Sequence, residues 1–179
     1  VLVVMDGQIH AAQRVTKVVT QGVGAFASPG SGPLGWVDDV GVHLLVNAAD
    51  RLCFFADLSL PEHWPQVAIV HGCVEPPGFQ ITALLQAGVD GLVFTGTGAG
   101  QLSRSERQAL EEWQGLLPLM LRSNRCGRGP VHDREDDAEL GLLAAADLNP
   151  QKARVLLILA LIAGLDRDDL AGLLSASHR

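Results

Sequence analysis

Residues 67–100 read VAIVHGCVEPPGFQITALLQAGVDGLVFTGTGAG. Two short apolar, β-branched runs, 67–70 and 91–95, bracket a segment, 80–88, with the character of a helix that closes on Gly88. A strand, a helix and a second strand in so short a span predict a parallel pair joined by a crossover, because parallel neighbours cannot be linked by a tight turn.

The same alternation continues downstream. Ser103-Arg104-Ser105-Glu106 is a capping box, in which the serine hydroxyl and the glutamate carboxylate each satisfy an orphan amide at a helix start. The helix it opens carries Ala109, Leu110, Trp113, Leu116 and Leu117 on one face. Residues 118–122 form a third strand. Asn149-Pro150 supplies an N-cap followed by proline at the first helical position. The stretch 155–163 that follows is apolar all round, which predicts a central, buried helix. Asp166 caps a last helix running to about residue 175. Together these elements predict an α/β fold, a parallel sheet flanked by helices. Ligands of such sheets sit beyond the C-terminal ends of strands, which directs attention to the loops 71–75 and 96–100.

Upstream, Ser59-Leu60-Pro61-Glu62-His63-Trp64-Pro65 has the composition of a linker and places a domain boundary there, dividing the chain into 1–58 and 59–179. Residues 1–5, VLVVM, are continuously apolar, as in a strand covered on both faces. Asp6-Gly7 is a turn signal, and 8–19 then reads as a hairpin partner or extended arm. Residues 28–35 are too rich in glycine and proline for regular structure. A strand-like pair is expected around 41–46 and 52–55. The chain starts directly on a strand without an initiator methionine, so a segment ahead of Val1 is expected. A strand left without its neighbours would expose unpaired amides and invite association.

Composition narrows the function. The 179 residues carry a net charge of −7, only 4% aromatic residues and no tyrosine. Such a surface repels phosphate backbones and offers few stacking rings, which excludes a nucleic-acid binder. The longest apolar run, 155–165, is too short to cross a bilayer, so no membrane partner is expected. Cys53, Cys73 and Cys126 form no C-x-x-C pair, which fits reduced thiols in a cytoplasmic protein rather than a disulfide framework or zinc site.

Several constellations invite chemistry. Gly96-Thr97-Gly98-Ala99-Gly100 has the spacing G-x-G-x-G, not the G-x-G-x-x-G of a dinucleotide fingerprint, and a tight turn that brings backbones close is the preferred reading. His71, Cys73, Cys126 and His132-Asp133 could in principle supply metal ligands or a Cys–His pair, yet no spacing demands either, and scattered loop and core residues are commoner. The acidic run Asp133-Arg134-Glu135-Asp136-Asp137-Ala138-Glu139 is either a solvated loop or a set of carboxylates for a cation or a substrate ammonium, and the residues alone leave both open.

Four segments, 1–17 (VLVVMDGQIHAAQRVTK), 25–36 (AFASPGSGPLGW), 87–100 (AGVDGLVFTGTGAG) and 147–160 (DLNPQKARVLLILA), resemble in order and spacing the C-terminal half of bacterial-type L-asparaginases, the glutaminase-asparaginase family. Arg122-Ser123-Asn124-Arg125 also resembles the arginine–serine signature that follows the third strand of that family's C-terminal domain. The resemblance implies that 1–58 is the tail of an N-terminal catalytic α/β domain, its last strands, and that 59–179 is the smaller C-terminal domain. It implies hydrolysis of the side-chain amide of L-asparagine, often also L-glutamine, by a threonine nucleophile activated by a second threonine, an aspartate and a lysine, without cofactor or metal. Those four groups belong to segments upstream of the strand matched by 1–5, so no catalytic residue is expected on this chain.

The family assembles as a homo-oligomer, dimer or tetramer, in which a neighbour's C-terminal domain closes each site and binds the substrate's amino group. The asparagine used for that contact falls on Glu75. The acidic residue falls on Arg134 or Glu135, and a loop glycine-asparagine pair appears as Ala99-Gly100. Glu75 and Glu135 are therefore the expected substrate-binding residues. The alternatives are a non-catalytic asparaginase-like binding or regulatory module, and the amidase subunit of a tRNA-dependent amidotransferase.

Overall fold

The computed structural model describes residues 1–45, 54–126 and 128–176. The chain forms two compact units, Val1–Phe54 and Phe55–Arg179.

In the first unit, β1 (Leu2–Met5) pairs antiparallel with β2 (Gln8–Ala11) across a two-residue turn. Asp6 and Gly7 both adopt positive φ, 49° and 68°, the twist a tight hairpin needs and the reason an Asp-Gly pair signals one. The short ribbon β3 (Thr16–Lys17) and β4 (Phe26–Ala27) follows. Then β5 (Gly35–Val37) and β6 (Val42–Leu44) complete a sheet in the order β1-β2-β5-β6. Strand β6 pairs with β5; of the other predicted strand, 52–55, Leu52 and Cys53 lie outside the described residues, as does Val46 at the end of 41–46, while Phe54 and Phe55 stand in a turn. Strand β1, at the edge of this sheet, is not covered on both faces: Leu2 and Val4 are 51% and 58% exposed.

The β5–β6 hairpin is locked by one carboxylate. Asp38 Oδ1 accepts the Val40 and Gly41 amides (2.9 and 3.1 Å) and lies 3.0 Å from His43 Nε2, while Trp36 Nε1 donates to Oδ2 (3.3 Å). Trp36 stacks on His43 at 5.0 Å between ring centroids. The His43 hydrogen bond, then the Val40 amide, hold the Asp38 carboxyl below its ordinary range. A depressed carboxyl contributes stability that is fully present above its unfolded value and is lost as pH falls through the folded one. Trp36 emission is therefore expected to show an acid transition below about pH 4, where the Asp38 carboxyl takes its proton. In Asp38→Asn that acid transition disappears from the Trp36 difference spectrum.

The second unit is a three-layer α/β/α sandwich. Strands β7 (Val67–His71), β8 (Gly91–Gly96), β9 (Leu119–Asn124) and β10 (Leu142–Ala144) form a parallel sheet in the order β10-β9-β8-β7, with α1 (Phe79–Gln86), α2 (Arg104–Glu111), α3 (Glu135–Ala138), α4 (Pro150–Ile162) and α5 (Arg167–Ala176) around it. Because the order never reverses, right-handed crossovers put α1, α2 and α3 on one face, and α4 and α5 cover the other. Strand β8 is buried along its whole length and alternates between the two cores. Leu92 and Phe94 pack with Ile81, Leu85 and Leu110, and Val93 packs with Ala153, Leu157 and Leu170. Each such fully buried side chain contributes roughly 1.5–3 kcal/mol of transfer free energy.

The helix signals are realised as local chemistry. Ser103 and Glu106 close the capping box of α2. Asn149 accepts the Lys152 amide at the start of α4, and Gly164, at φ 69°, ends it in a Schellman turn, with Leu165 N–H donating to Ala160 O at 3.0 Å. Two predicted apolar faces are smaller than expected. Helix α2 ends at Glu111, so Leu116 lies past it and is 76% exposed, while Trp113 and Leu117 pack at the core's margin. Helix α4 is not buried all round. It lies on the outside of the sheet, so only Pro150, Ala153, Leu157 and Ala160 are buried and Val155 is 54% exposed. No described helix is long and apolar enough to cross a membrane.

Candidate functional site

The C-terminal edge of the parallel sheet is organised around a buried arginine. Arg122, the last residue of the strand read over 118–122, lies inside β9 and is 0% exposed. Its Nη1 donates to the Ala99 carbonyl (2.9 Å), its Nη2 to the His132 carbonyl, and its Nε sits 2.6 Å from Asp137 Oδ2. Asp137, 2% exposed, also takes the Arg107 guanidinium at 2.8 Å. One carboxylate and two guanidiniums thus tie together α2, α3, β9 and the glycine loop. Burying a charge is tolerable only when paired and hydrogen-bonded in this way.

The acidic run is accordingly neither a wholly solvated loop nor a cation cage. Asp137 turns inward as an ion-pair partner, and Asp133 Oδ1 accepts the Ala144 amide at 3.1 Å. Asp136 is exposed, and its carboxyl is held below the ordinary range chiefly by Arg134, whose Nε lies 2.9 Å away. No group of three or more potential metal ligands converges among the described residues. Cys73 and Cys126 are exposed free thiols.

The glycine loop is a steric device. Gly98 and Gly100 have positive φ, 52° and 83°, and the Thr97 and Gln101 backbones bond to each other in both directions. A Cβ on Gly96 would lie 2.1 Å from the Gly100 carbonyl carbon and oxygen. Glycine is required there for close packing of one backbone on another, as the preferred reading of the sequence had it.

Glu75 and Glu135 are both exposed, and neither enters a salt bridge among the described residues. Glu75 follows β7 with φ 48°, a left-handed conformation that costs a non-glycine residue about 1 kcal/mol and fixes the loop's direction ahead of Pro76. Glu135 opens α3 on the connection between β9 and β10. With no reversal of strand order there is no switch-point crevice to collect these groups. Instead both loops are braced on the first turns of α2. Ser105 Oγ donates to the Pro76 carbonyl (2.8 Å), and Arg107 Nη1 donates to the Asp136 carbonyl (3.1 Å). Sequence reasoning pointed to the two glutamates and missed Arg107, Arg122 and Asp137, which hold their loops. The available signal was an arginine inside an otherwise apolar strand.

The sequence matches the profile of the Glutaminase/Asparaginase C-terminal domain over residues 66–174 and that of the Asparaginase N-terminal domain over residues 1–50. The chain belongs to the glutaminase/asparaginase family. It is 35% identical over 161 residues to L-asparaginase 2 of Bacillus subtilis, covering 89% of this chain and 43% of that one. It is 36% identical over 165 residues to L-asparaginase 2 of Escherichia coli, covering 90% and 47%. With glutaminase-asparaginase of Pseudomonas fluorescens identity is 31% over 175 residues, covering 95% and 48%. The crystal structure of a probable cytoplasmic L-asparaginase from Campylobacter jejuni superposes with a TM-score of 0.87 at 31% identity, over 97% of this chain and 54% of that one. The chain thus spans about half the length of the curated relatives it matches.

Proposed function

We propose that this chain is the C-terminal part of an asparaginase-family amidohydrolase that converts L-asparagine, or L-glutamine, to the acid and ammonia. The observation that carries this reading is the match of both family profiles, in family order, to relatives named for those activities. On this reading the nucleophilic hydroxyl comes from outside these residues. Thr95 is 1% exposed and out of a substrate's reach, and the other threonines lie in segments unlike the family's catalytic ones. Residues 1–58 would belong to the catalytic domain and 59–179 to the C-terminal domain. In a dimer or tetramer, Glu75 and Glu135 would present carboxylates to the substrate ammonium in a neighbouring subunit's site. At Glu75 a charge-assisted hydrogen bond of this kind would be stronger than that of the amide it replaces. A cytoplasmic location fits the two exposed thiols and the name of the Campylobacter relative, while a relative from Haemophilus influenzae is named as periplasmic.

Ammonia release tests the reading. The 179-residue chain alone is expected to give none above background. Joined to the N-terminal half of the Escherichia coli relative it is expected to turn over L-asparagine, with KM rising several-fold in Glu75→Ala or Glu135→Ala. Turnover by the chain alone that is lost on replacing Thr16, Thr20, Thr82, Thr95 or Thr97 would overturn it.

A further inference from the structure

A cleft of about 360 Å3 opens beside β10, the edge strand of the parallel sheet, between the segment 130–133 and the C-terminal turn of α5. Its floor is apolar, made by the buried residues Val131, Leu143, Ala146 and Leu174. His132, Asp133 and Ser175, all exposed, stand at its mouth. The segment is tied to the strand side twice. The Val131 amide donates to the Ala146 carbonyl (2.8 Å), and the Ala144 amide donates to Asp133 Oδ1 (3.1 Å). The cleft is thus set by backbone pairing and not by one loose side chain. Its size falls within the roughly 300–1,000 Å3 of small-molecule sites, which combine an apolar lining with a few polar groups in the same way.

The polar atoms left over around it are mostly acceptors. Asp133 commits Oδ1 to the Ala144 amide, and its Oδ2 is engaged by no described group. The Ser175 hydroxyl donates its proton to the Ala171 carbonyl (2.9 Å), so its oxygen has only lone pairs to offer another partner. The Val131 and Ala144 amides are taken, and Pro130 has none. Helix α5 adds the negative end of its dipole. Neutral His132 accepts with one ring nitrogen whichever one carries the proton. No lysine or arginine is among the described residues that line the cleft. An anion or a zwitterionic amino acid would find no cation for its carboxylate there and would face Asp133, whereas an ammonium brings three donors and no acceptor.

We propose that this cleft is a binding site for a small primary aliphatic amine, held as its ammonium. The ammonium meets the Asp133 carboxylate, with the Ser175 oxygen as a second acceptor, and a short branched hydrocarbon body covers Leu143, Ala146 and Leu174. The charge-assisted bond orients the ligand, and the apolar floor favours its hydrocarbon part over water. A ligand of about six non-hydrogen atoms supports only a weak complex, with Kd on the order of 1–10 mM. Neither Glu75 nor Glu135 lines the cleft, and the proposal stands apart from the amidohydrolase reading, because binding and not turnover tests it.

Titration of the full 179-residue chain with isopentylammonium chloride, followed by amide NMR shifts at physiological salt, tests it, with circular dichroism confirming the fold of each variant. Saturable shifts confined to 130–133, 143–146 and 171–175 are expected. Isopentanol, which has the same body without the charge, should bind about 10-fold more weakly, and isovalerate should not bind. Asp133→Asn keeps an oxygen for the Ala144 amide but loses the charge, and should raise Kd about 10-fold. Ser175→Ala should raise it about 3-fold. Glu139→Gln removes the same charge elsewhere on the connection between β9 and β10 and should leave Kd unchanged. Shifts that do not saturate by about 50 mM, well above the expected range, overturn the proposal. So do isopentanol binding as tightly as the amine, or equal weakening by Asp133→Asn and Glu139→Gln, which would reduce the attraction to the chain's net charge.

Discussion

Asp137→Ala is expected to destabilise the second unit by about 3–5 kcal/mol, the usual consequence of leaving a buried charge without its partner. The Arg122 guanidinium has no exposed surface, and two of its contacts, the Ala99 and His132 carbonyls, are neutral. Its charge is balanced by Asp137, at 2.6 Å. Removing the carboxylate also takes one partner from Arg107, but Arg107 is partly exposed and keeps the Asp136 carboxylate at 3.1 Å, so the loss arises mainly at Arg122. Urea denaturation of the variant should show the midpoint falling with little change in slope. The double variant Arg122→Met/Asp137→Leu should be much less unstable than the sum of its single changes, by about 2 kcal/mol or more, because each single change strands the group the other removes. Additive losses would mean that the two side chains do not act as a pair.

Gly96→Ala should be as damaging, for a different reason. The added methyl would sit 2.1 Å from the Gly100 carbonyl, backbone against backbone, where no side-chain rotation gives relief. Either β8 shifts at its C-terminal end or the 97–101 loop opens, and the Arg122 bond to Ala99 goes with it. A loss of several kcal/mol, or failure to fold, is expected. Gly98→Ala is the matched control. Its φ is 52°, but nothing lies within 4 Å of the added methyl, so only the left-handed backbone penalty of roughly 1 kcal/mol applies. Similar small losses for both would contradict the steric account. Phosphate or nucleotide binding abolished by either variant would revive the dinucleotide reading of this loop.

Much of the architecture is legible in contiguous residues. The capping box at Ser103, the Asn149-Pro150 start, the Gly88 ending, the Asp6-Gly7 turn and the strands 67–70, 91–95 and 118–122 are all found where the sequence points. The strand β10 was not anticipated, because Leu142, Leu143 and Ala144 are too few and too ordinary to announce one. It becomes a strand by pairing with β9. Nor was the pairing of β5 with β6, since Gly35-Trp36-Val37 follows a glycine- and proline-rich loop and gains its register only from its neighbours.

What the sequence determined by itself is therefore the set of elements with their own start and stop chemistry, the parallel α/β class of the second unit, and the family. Caps, tight turns and hydrophobic runs act between residues a few positions apart, so their energetics are already present in the local chain. What only the tertiary structure decided is which charges are buried and which apolar faces stay open. Asp137 and Glu135 stand two residues apart in one acidic run, yet one is sealed against Arg122 and the other faces solvent. Val155 and Leu157 stand in one apolar run, yet one is exposed and the other has no accessible surface. The difference lies in what packs against each position. Arg107 meets Asp137 across a separation of 30 residues, a contact that forms only after the sheet has brought α2 and α3 to the same face.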